Sequence, residues 1–215
     1  MGILSDREIE WMMEKEGLVI EPILLPIQSA SVDLRLGNNI LRQSSGQVVD
    51  PVHGRIPDES VKPMGNKHYL FPGQWLLAET LEYIEIPPSL VGILVGKSSL
   101  ARFGLQIESA GYVDPGWKGV LTLEIKNLGE YTIVLRPEMM ICQIRFEPVV
   151  GLPVQHPYGH PALNSHYQGS QGVQAGRSDP QPVHFEPDRP ARTRSSSPRS
   201  RRQTGDAPPS PAPSQ

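Results

Sequence analysis

The most regular pattern in the chain is a two-residue alternation of apolar and polar positions. In the stretch Val120–Lys126, the aliphatic residues Leu121, Leu123 and Ile125 alternate with polar or smaller residues. Successive side chains of a β-strand point to opposite faces, so the three aliphatic side chains share one face and Glu124 lies on the other. The pattern therefore predicts a strand whose only carboxylate faces away from the core.

Similar short patterns, separated by turns rich in proline and glycine, predict further strands. They lie at Val32–Leu36, within 68–90, at Val91–Val95, and in a strand pair formed by Thr132–Leu135 and Met140–Glu147. An extended piece is expected at Leu18–Pro26, and a long loop with a short hairpin at Gln43–Lys67. Short strands at regular intervals favour a mainly β fold, a jelly roll or distorted β-barrel, over a βαβ fold.

One clear helix is predicted at the amino terminus. Ser5 is followed three residues later by Glu8, which is the pattern of a capping box, and Gly17 provides a stop. The helix is therefore expected to span Asp6–Lys15.

Composition divides the chain into a domain and a tail. Of its 215 residues 38% are hydrophobic and 23 are prolines. Residues 151–174 are rich in His, Gly, Gln and Pro, and are expected to form a closing flap of a domain spanning 1–174. Residues 175–215 are rich in Pro, Ser and Arg and poor in apolar residues, which predicts a disordered tail because such a segment cannot offset its ordering entropy.

Charge and cysteine content exclude several classes of protein. The tail has seven arginines and four acidic residues, which gives it a formal charge of +3. Because the whole chain has a net charge of −3, the domain carries −6. An acidic domain does not suit a duplex-DNA binder, and no nucleic-acid partner is expected. The single cysteine, Cys142, is flanked by apolar residues and is interpreted as a core residue. The amino terminus has no signal peptide or membrane span, so we expect a cytoplasmic protein without a membrane partner.

The stretch Gly96–Asn127 concentrates the candidate chemistry. Lys97, Ser98, Ser99 and Arg102 follow an apolar strand and form a donor-rich turn of the kind that cradles phosphate. This turn overlaps the sequence GILVGKS, residues 92–98, which has three residues between its two glycines, whereas a P-loop needs four. The turn is therefore not a P-loop.

A zinc deaminase site is also excluded. Such a site needs two or three cysteines near a His-x-Glu motif, and His184-Phe185-Glu186 lies in the tail without a Pro-Cys-x-x-Cys motif. The remaining candidates each have an ordinary structural explanation, such as a turn-forming serine or an exposed strand residue. They point to a site only as a group, which consists of Ser98, Ser99, Arg102, Asp114 and Glu124.

The motif GKSSLARFGLQIESAGYVDPGWKGVLTLEIKN closely resembles the signature of the dCTP deaminase family, within the larger group that includes the trimeric dUTPases. The resemblance extends over roughly Met1 to Ser178. It includes the segments ILSD, SASVDLRLG, PGQWLLAETLEYIEIP, RPEMMICQIRFE and PYG…YQG.

The resemblance implies a distorted jelly roll of the dUTPase-like type with an N-terminal helix, assembled as a homotrimer with sites shared between subunits. It implies hydrolysis of dCTP to dUTP and ammonia, which supplies dUTP for thymidylate synthesis. It also implies a reaction without zinc, and we expect no metal site of the protein itself and Mg²⁺ that arrives with the triphosphate. Binding of dTTP or dUTP is a further expectation.

The resemblance also implies roles for individual residues. Glu124 matches the catalytic glutamate, and Ser98 and Arg102 would position the reacting groups. Further nucleotide-binding positions would be Lys97, Ser99, Leu100, Ala101, Ala110, Asp114, Thr122, Leu123, Tyr158, His166, Ser170 and Gln171.

The carboxy-terminal motif departs from the family pattern. The family usually has KYQGQ, whereas this chain has His166-Tyr-Gln-Gly-Ser170. Histidine is a weaker cation than lysine at neutral pH, and serine reaches less far than glutamine. If these changes abolish productive binding, the alternative is a nucleotide-binding regulatory protein without catalysis. A bifunctional enzyme that also converts dUTP to dUMP and pyrophosphate is a second alternative, because Asp114 matches a nucleotide-handling aspartate of the related dUTPases.

Overall fold

The amino-terminal helix α1 spans Asp6–Lys15 in the computed structural model, which describes residues 2–43, 46, 48–50, 60–107 and 111–177. The Ser5 hydroxyl oxygen accepts a hydrogen bond from the Glu8 amide at 3.4 Å, and the Glu8 carboxylate accepts one from the Ser5 amide at 2.8 Å. Ile9 and Met12 are buried on one face of the helix. The predicted capping box and both predicted helix ends are confirmed.

The rest of the described chain is mainly β-strand. The strands are β1 (Val19–Glu21), β2 (Val32–Leu41), β3 (Val61–Pro63), β4 (His68–Leu70), β5 (Trp75–Glu85), β6 (Leu90–Gly96), β7 (Leu105–Ile107), β8 (Tyr112–Val113), β9 (Lys118–Asn127), β10 (Ile133–Leu135) and β11 (Met140–Pro148). A one-turn helix, α2 (Ser98–Ala101), follows β6.

Seven strands form one antiparallel path in the order β7-β9-β5-β2-β11-β6-β8. β1 joins this sheet at β5 and β3 joins it at β2, while β4 and β10 form a separate pair. The sheet curls into a half-barrel around the core. The predicted mainly β, barrel-like fold with one N-terminal helix is confirmed.

Strand β9 lies between β5 and β7 and shows the predicted alternation. Leu121, Leu123 and Ile125 are buried in the core, and Glu124 is half-buried on the opposite face. Leu77 of β5 lies opposite Glu124 in the register. β9 therefore holds its carboxylate on the side of the sheet that faces away from the core.

Three local predictions differ from the structure. The predicted strands at 132–135 and 140–147 correspond to β10 and β11, but the two strands do not pair with each other as predicted. Both edges of β11 are occupied by β2 and β6, and β10 pairs instead with β4. The turn expected after β6 is the short helix α2, and the strand expected to end at Leu36 continues to Leu41.

Cys142 is fully buried in β11, and burial raises the pKa of its thiol far above the ordinary value. Its predicted place in the core is confirmed. Within the described residues, no helix combines the length and the apolar content needed to cross a membrane. The predicted tail lies outside the described residues from Ser178 onward, as do residues 51–59 of the predicted loop.

Candidate active site

A pocket of about 540 Å³ lies on the outward face of β9. Thr122 and Glu124 of β9 line it, together with the turn that contains Asp114 and with residues from Tyr158 to Arg177. A volume of this size suits a small-molecule site. Sequence segments far apart in the chain therefore meet around the predicted carboxylate.

Thr122 and Glu124 point into the pocket because they are two residues apart on one strand. The Thr122 hydroxyl oxygen accepts a hydrogen bond from the Gln174 amide at 3.1 Å. Leu123 lies between them, is 0% exposed and packs in the core. Leu123 is therefore not among the described residues that line the pocket, although the resemblance implied a nucleotide contact there.

Asp114 lies at the turn that precedes β9. The Trp117 amide donates a hydrogen bond to the Asp114 carbonyl at 3.1 Å, which closes the turn. Burial raises the pKa of the Asp114 carboxyl above its ordinary value. Because the turn is closed beside β9, Asp114 and Glu124 present two carboxylates to one pocket.

Tyr158 covers one side of this pocket. Its ring lies 5.2 Å from that of Trp117, centroid to centroid, and its hydroxyl oxygen accepts a hydrogen bond from the Tyr167 amide at 3.2 Å. Burial, together with the nearby charge of Asp114, raises the pKa of the Tyr158 hydroxyl. The Tyr158 hydroxyl, with its raised pKa, is therefore uncharged at neutral pH, and Tyr158 lines the pocket.

The carboxy-terminal segment, residues 168–177, docks directly on β9. The Val120 amide donates to the Ser170 carbonyl at 3.0 Å, and the Gly169 amide donates to the Lys118 carbonyl at 2.8 Å. Gly119 has φ +143°, and a Cβ at this position would lie 2.9 Å from the Ser170 backbone. Glycine is thus required where the segment approaches the strand.

A buried carboxylate, Glu79 of β5, anchors the same segment and was not foreseen from the sequence. One of its oxygens accepts hydrogen bonds from the Asn39 amide at 3.2 Å and from the Asn39 side chain at 2.7 Å. The other accepts a hydrogen bond from the Val173 amide at 2.8 Å. In the sequence it is one of three carboxylates of β5, with Glu82 and Glu85, and no local pattern distinguishes it from the other two.

Arg177 was also missed, because residues 175–177 were assigned to the tail. The Arg177 amide donates to the Tyr167 hydroxyl oxygen at 3.0 Å, and its guanidinium lies 5.7 Å from the centre of the Tyr167 ring. Ala175, Gly176 and Arg177 all line the pocket. The docked segment therefore extends beyond Gln174, the end of the predicted flap.

The donor-rich segment Lys97–Arg102 lies elsewhere. Lys97 forms an ion pair with the buried Asp33, with an N–O distance of 2.5 Å, and Leu100 packs against the core. Ser98, Ser99, Ala101 and Arg102 are exposed on α2 and at its end. None of the described residues that line the pocket comes from this segment.

The remaining predicted residues take several positions. Ser170 lines the pocket, but it is buried and its hydroxyl donates to the Gly172 carbonyl at 2.9 Å. The exposed Gln171 side chain donates to the Gly169 carbonyl at 3.2 Å. The half-buried His166 lies edge-on to Tyr167. Ala110 lies outside the described residues.

Three charged side chains line the described part of the pocket: Asp114, Glu124 and Arg177. Among the described residues, no three His, Cys, Asp or Glu side chains lie close enough together to hold a metal ion. The pocket thus combines two carboxylates with one guanidinium and aromatic walls.

Comparisons with known proteins agree on one family. A family model described as dCTP deaminase-like matches residues 3–149. A protein of Methanothermobacter thermautotrophicus named "dCTP deaminase, dUMP-forming" is 38% identical over 186 residues, which cover 82% of this chain and 94% of that protein. A protein of Natronomonas pharaonis named "dCTP deaminase" is 39% identical over 185 residues, which cover 81% and 94%.

Among solved structures, the crystal structure of 2′-deoxycytidine 5′-triphosphate deaminase from Agrobacterium tumefaciens has a TM-score of 0.55 and 24% sequence identity. The match covers 72% of this chain but spans only half, 50%, of that longer chain. This likeness supports the fold, whereas the two sequence relatives and the family model identify the family. The chain belongs to the dCTP deaminase-like family.

Proposed function

We propose that this protein hydrolyses dCTP to dUTP and ammonia, with Glu124 as the general acid and base. The observation that carries the proposal is the position of Glu124 on β9, in a nucleotide-sized pocket beside Thr122 and Asp114. The names of the two relatives, both dCTP deaminases, support the substrate and the reaction class.

The reaction needs one water, and both of its protons pass through Glu124. Water attacks C4 of cytosine while Glu124 accepts its proton, and the carboxyl then delivers that proton to the neighbouring ring nitrogen. The second proton of the attacking oxygen moves to the amino group through the same carboxylate, and ammonia leaves as the carbonyl forms. dCTP and water thus become dUTP and ammonia, and Glu124 returns to its ionised state.

General acid–base catalysis contributes about 10²–10⁴-fold in rate, so other groups must contribute too. Donors aimed at the developing charge and an oriented water typically supply the remainder. We assign this positioning to Ser98 and Arg102. The other nucleotide contacts would come from the predicted positions on α2, on β9 and in the docked segment.

Ser98 and Arg102 are exposed on their own chain and do not line its pocket, so a second copy of the chain would have to supply them. This arrangement supports the homotrimer with sites shared between subunits. The exposed Phe103 beside α2 and the exposed Tyr112 at the pocket rim offer apolar surface for such a contact. The trimer is part of the proposal.

Mg²⁺ would enter with the triphosphate. This ion takes oxygen ligands and usually combines substrate phosphates, waters and one or two carboxylates. The carboxylate of Asp114 at the pocket wall fits this donor set. When bound, Mg²⁺ would lower the negative charge of the triphosphate. We also propose a cytoplasmic location, and binding of dUTP as product or of dTTP as a related nucleotide.

A second candidate function is supported by one specific observation. The relative with 38% identity is named as dUMP-forming, and Asp114 lies in the same pocket as Glu124. The bifunctional reaction would consume a second water and release pyrophosphate, so that dCTP yields dUMP, ammonia and pyrophosphate. Asp114 would then handle the water that attacks the phosphate chain.

The test is incubation of the full chain with dCTP and Mg²⁺, with ammonia, dUTP, dUMP and pyrophosphate measured together. Ammonia with accumulating dUTP supports deamination alone, and ammonia with dUMP and pyrophosphate supports the bifunctional reaction. If ammonia is absent, both enzyme functions are wrong. Bound dCTP without any product would favour the regulatory alternative.

The variant Glu124→Gln tests the assignment of the base. We expect ammonia release to fall by about 10²-fold or more while dCTP binding is retained. Glu10→Gln, which removes the same charge from the exposed face of α1, is the matched control and should keep full activity. Ammonia release from Glu124→Gln at the rate of the control would refute the role of Glu124.

A further inference from the structure

The side chains that line the described part of the pocket carry more negative than positive charge, whereas a triphosphate needs positive charge around it. Two carboxylates, Asp114 and Glu124, line the described part of the pocket, and both repel an anionic ligand. Arg177 is the one cation among these described lining residues. Within its own chain, the described pocket therefore offers a phosphate chain positive charge at Arg177, in addition to the Mg²⁺ and the Arg102 of a second copy proposed above.

The structure holds the Arg177 guanidinium in place at the pocket wall. The Arg177 amide is bonded to the Tyr167 hydroxyl, and the guanidinium lies over the Tyr167 ring at 5.7 Å. A guanidinium at this distance from an aromatic ring uses none of its N–H donors on the ring, and their fork geometry suits phosphate oxygens. None of the ion pairs found among the described residues involves Arg177.

We propose that Arg177 binds the phosphate chain of the nucleotide and brings positive charge to it from the docked segment. The proposal rests on the nucleotide substrate proposed above. It also assigns a function to residues 175–177, which continue the docked segment to the pocket wall. The ligand chemistry is that of a polyphosphate, recognised by paired N–H donors and positive charge.

The experiment compares the full chain with its Arg177→Ala and Arg177→Lys variants by calorimetric titration. The probes are inorganic tripolyphosphate, which carries the phosphate chain alone, and deoxycytidine, which carries the base and sugar alone. Arg7→Ala is the matched control, because it removes the same charge from an exposed position on α1.

We expect Arg177→Ala to weaken tripolyphosphate binding by about 10- to 100-fold, the usual loss for a charged hydrogen-bonded contact. Deoxycytidine binding should stay unchanged, and Arg177→Lys should recover part of the loss. The KM for dCTP should rise in parallel, with kcat changed much less.

Two results would overturn the proposal. One is tripolyphosphate binding that is absent from the unmodified chain or unchanged in Arg177→Ala. The other is an equal loss for both probes, which would mean that Arg177 only holds the segment closed. Failure of the proposed function has a different signature, since no ammonia would then be released from dCTP by the unmodified chain. The two titrations decide the role of Arg177 in that case as well.

Discussion

Replacing Glu79 by glutamine should loosen the carboxy-terminal segment without unfolding the domain. Both carboxylate oxygens of Glu79 accept hydrogen bonds, one from Asn39 and the other from the Val173 amide. A glutamine has only one such oxygen. Because Asn39 offers two donors, the amide oxygen should turn toward Asn39, and the NH₂ group would then face the Val173 N–H.

The magnitude follows from the buried setting. Glu79 is 7% exposed, and the Val173 amide would be left without an acceptor next to another donor. An unsatisfied buried donor costs about 1–3 kcal/mol, which corresponds to roughly a 5- to 150-fold shift toward the undocked segment, centred between 10- and 100-fold. The packing of Val173 against Leu41 and Leu77 remains, so docking should weaken rather than vanish.

Hydrogen–deuterium exchange measures this shift locally. In Glu79→Gln, the amides of Val173 and Gln174 should exchange about 10- to 100-fold faster, while those of α1 should not change. Glu147→Gln is the control, since it removes the same charge from a partly exposed pair with Arg145. Unchanged exchange at Val173, or equally faster exchange along the whole chain, would refute the anchoring role of Glu79.

Two further predictions concern stability. Ser5→Ala removes the cap of α1 and should cost about 1 kcal/mol, seen as a fall of about 2–4 °C in the Tm followed by circular dichroism. Burial and the charge of Arg42 lower the pKa of His68, so the folded state resists its protonation. Stability should therefore fall as pH drops below the ordinary histidine pKa of about 6.5. His68→Gln should make this fall smaller in urea denaturation at pH 7.5 and 5.5.

Specific results would contradict these two expectations. A Tm for Ser5→Ala equal to that of Ser89→Ala, which changes an exposed serine at a turn, would show that the cap contributes nothing. The same loss of stability between pH 7.5 and 5.5 in His68→Gln and the unmodified chain would show that His68 does not titrate with unfolding.

The features that the sequence predicted best depend on contacts within a few residues. The capping box of α1 joins Ser5 to Glu8, and the alternation in β9 sets the face of Glu124 residue by residue. The pairing of strands could not be predicted in this way, because it depends on which strand edges are already occupied by other strands. β10 pairs with β4 because β2 and β6 occupy both edges of β11, and nothing in residues 132–148 expresses that competition.

The same reason explains which parts of the candidate site were missed. Glu79 accepts hydrogen bonds from Asn39 and Val173, which are 40 and 94 residues away in the chain. In the sequence it looks like any polar residue of a half-exposed strand. Arg177 stands at the start of a stretch with the composition of a tail, and only its contacts with Tyr167 separate it from that stretch. The face of Glu124 was predictable and the resemblance supplied Tyr158, whereas Glu79 and Arg177, which hold and extend the closing segment, were not foreseen.

This division suggests how the two halves of the site should respond to mutation. Glu124 lies on β9, which is held between β5 and β7, so its position should be insensitive to changes in the carboxy-terminal segment. The pocket wall at Gln174–Arg177 depends instead on single contacts from Thr122, Glu79 and Tyr167. Loosening any of these contacts should therefore raise KM more than it lowers kcat, because the reacting carboxylate stays in place while the closed pocket becomes less populated. A variant such as Glu79→Gln that lowered kcat and left KM unchanged would show instead that the segment acts on the chemical step.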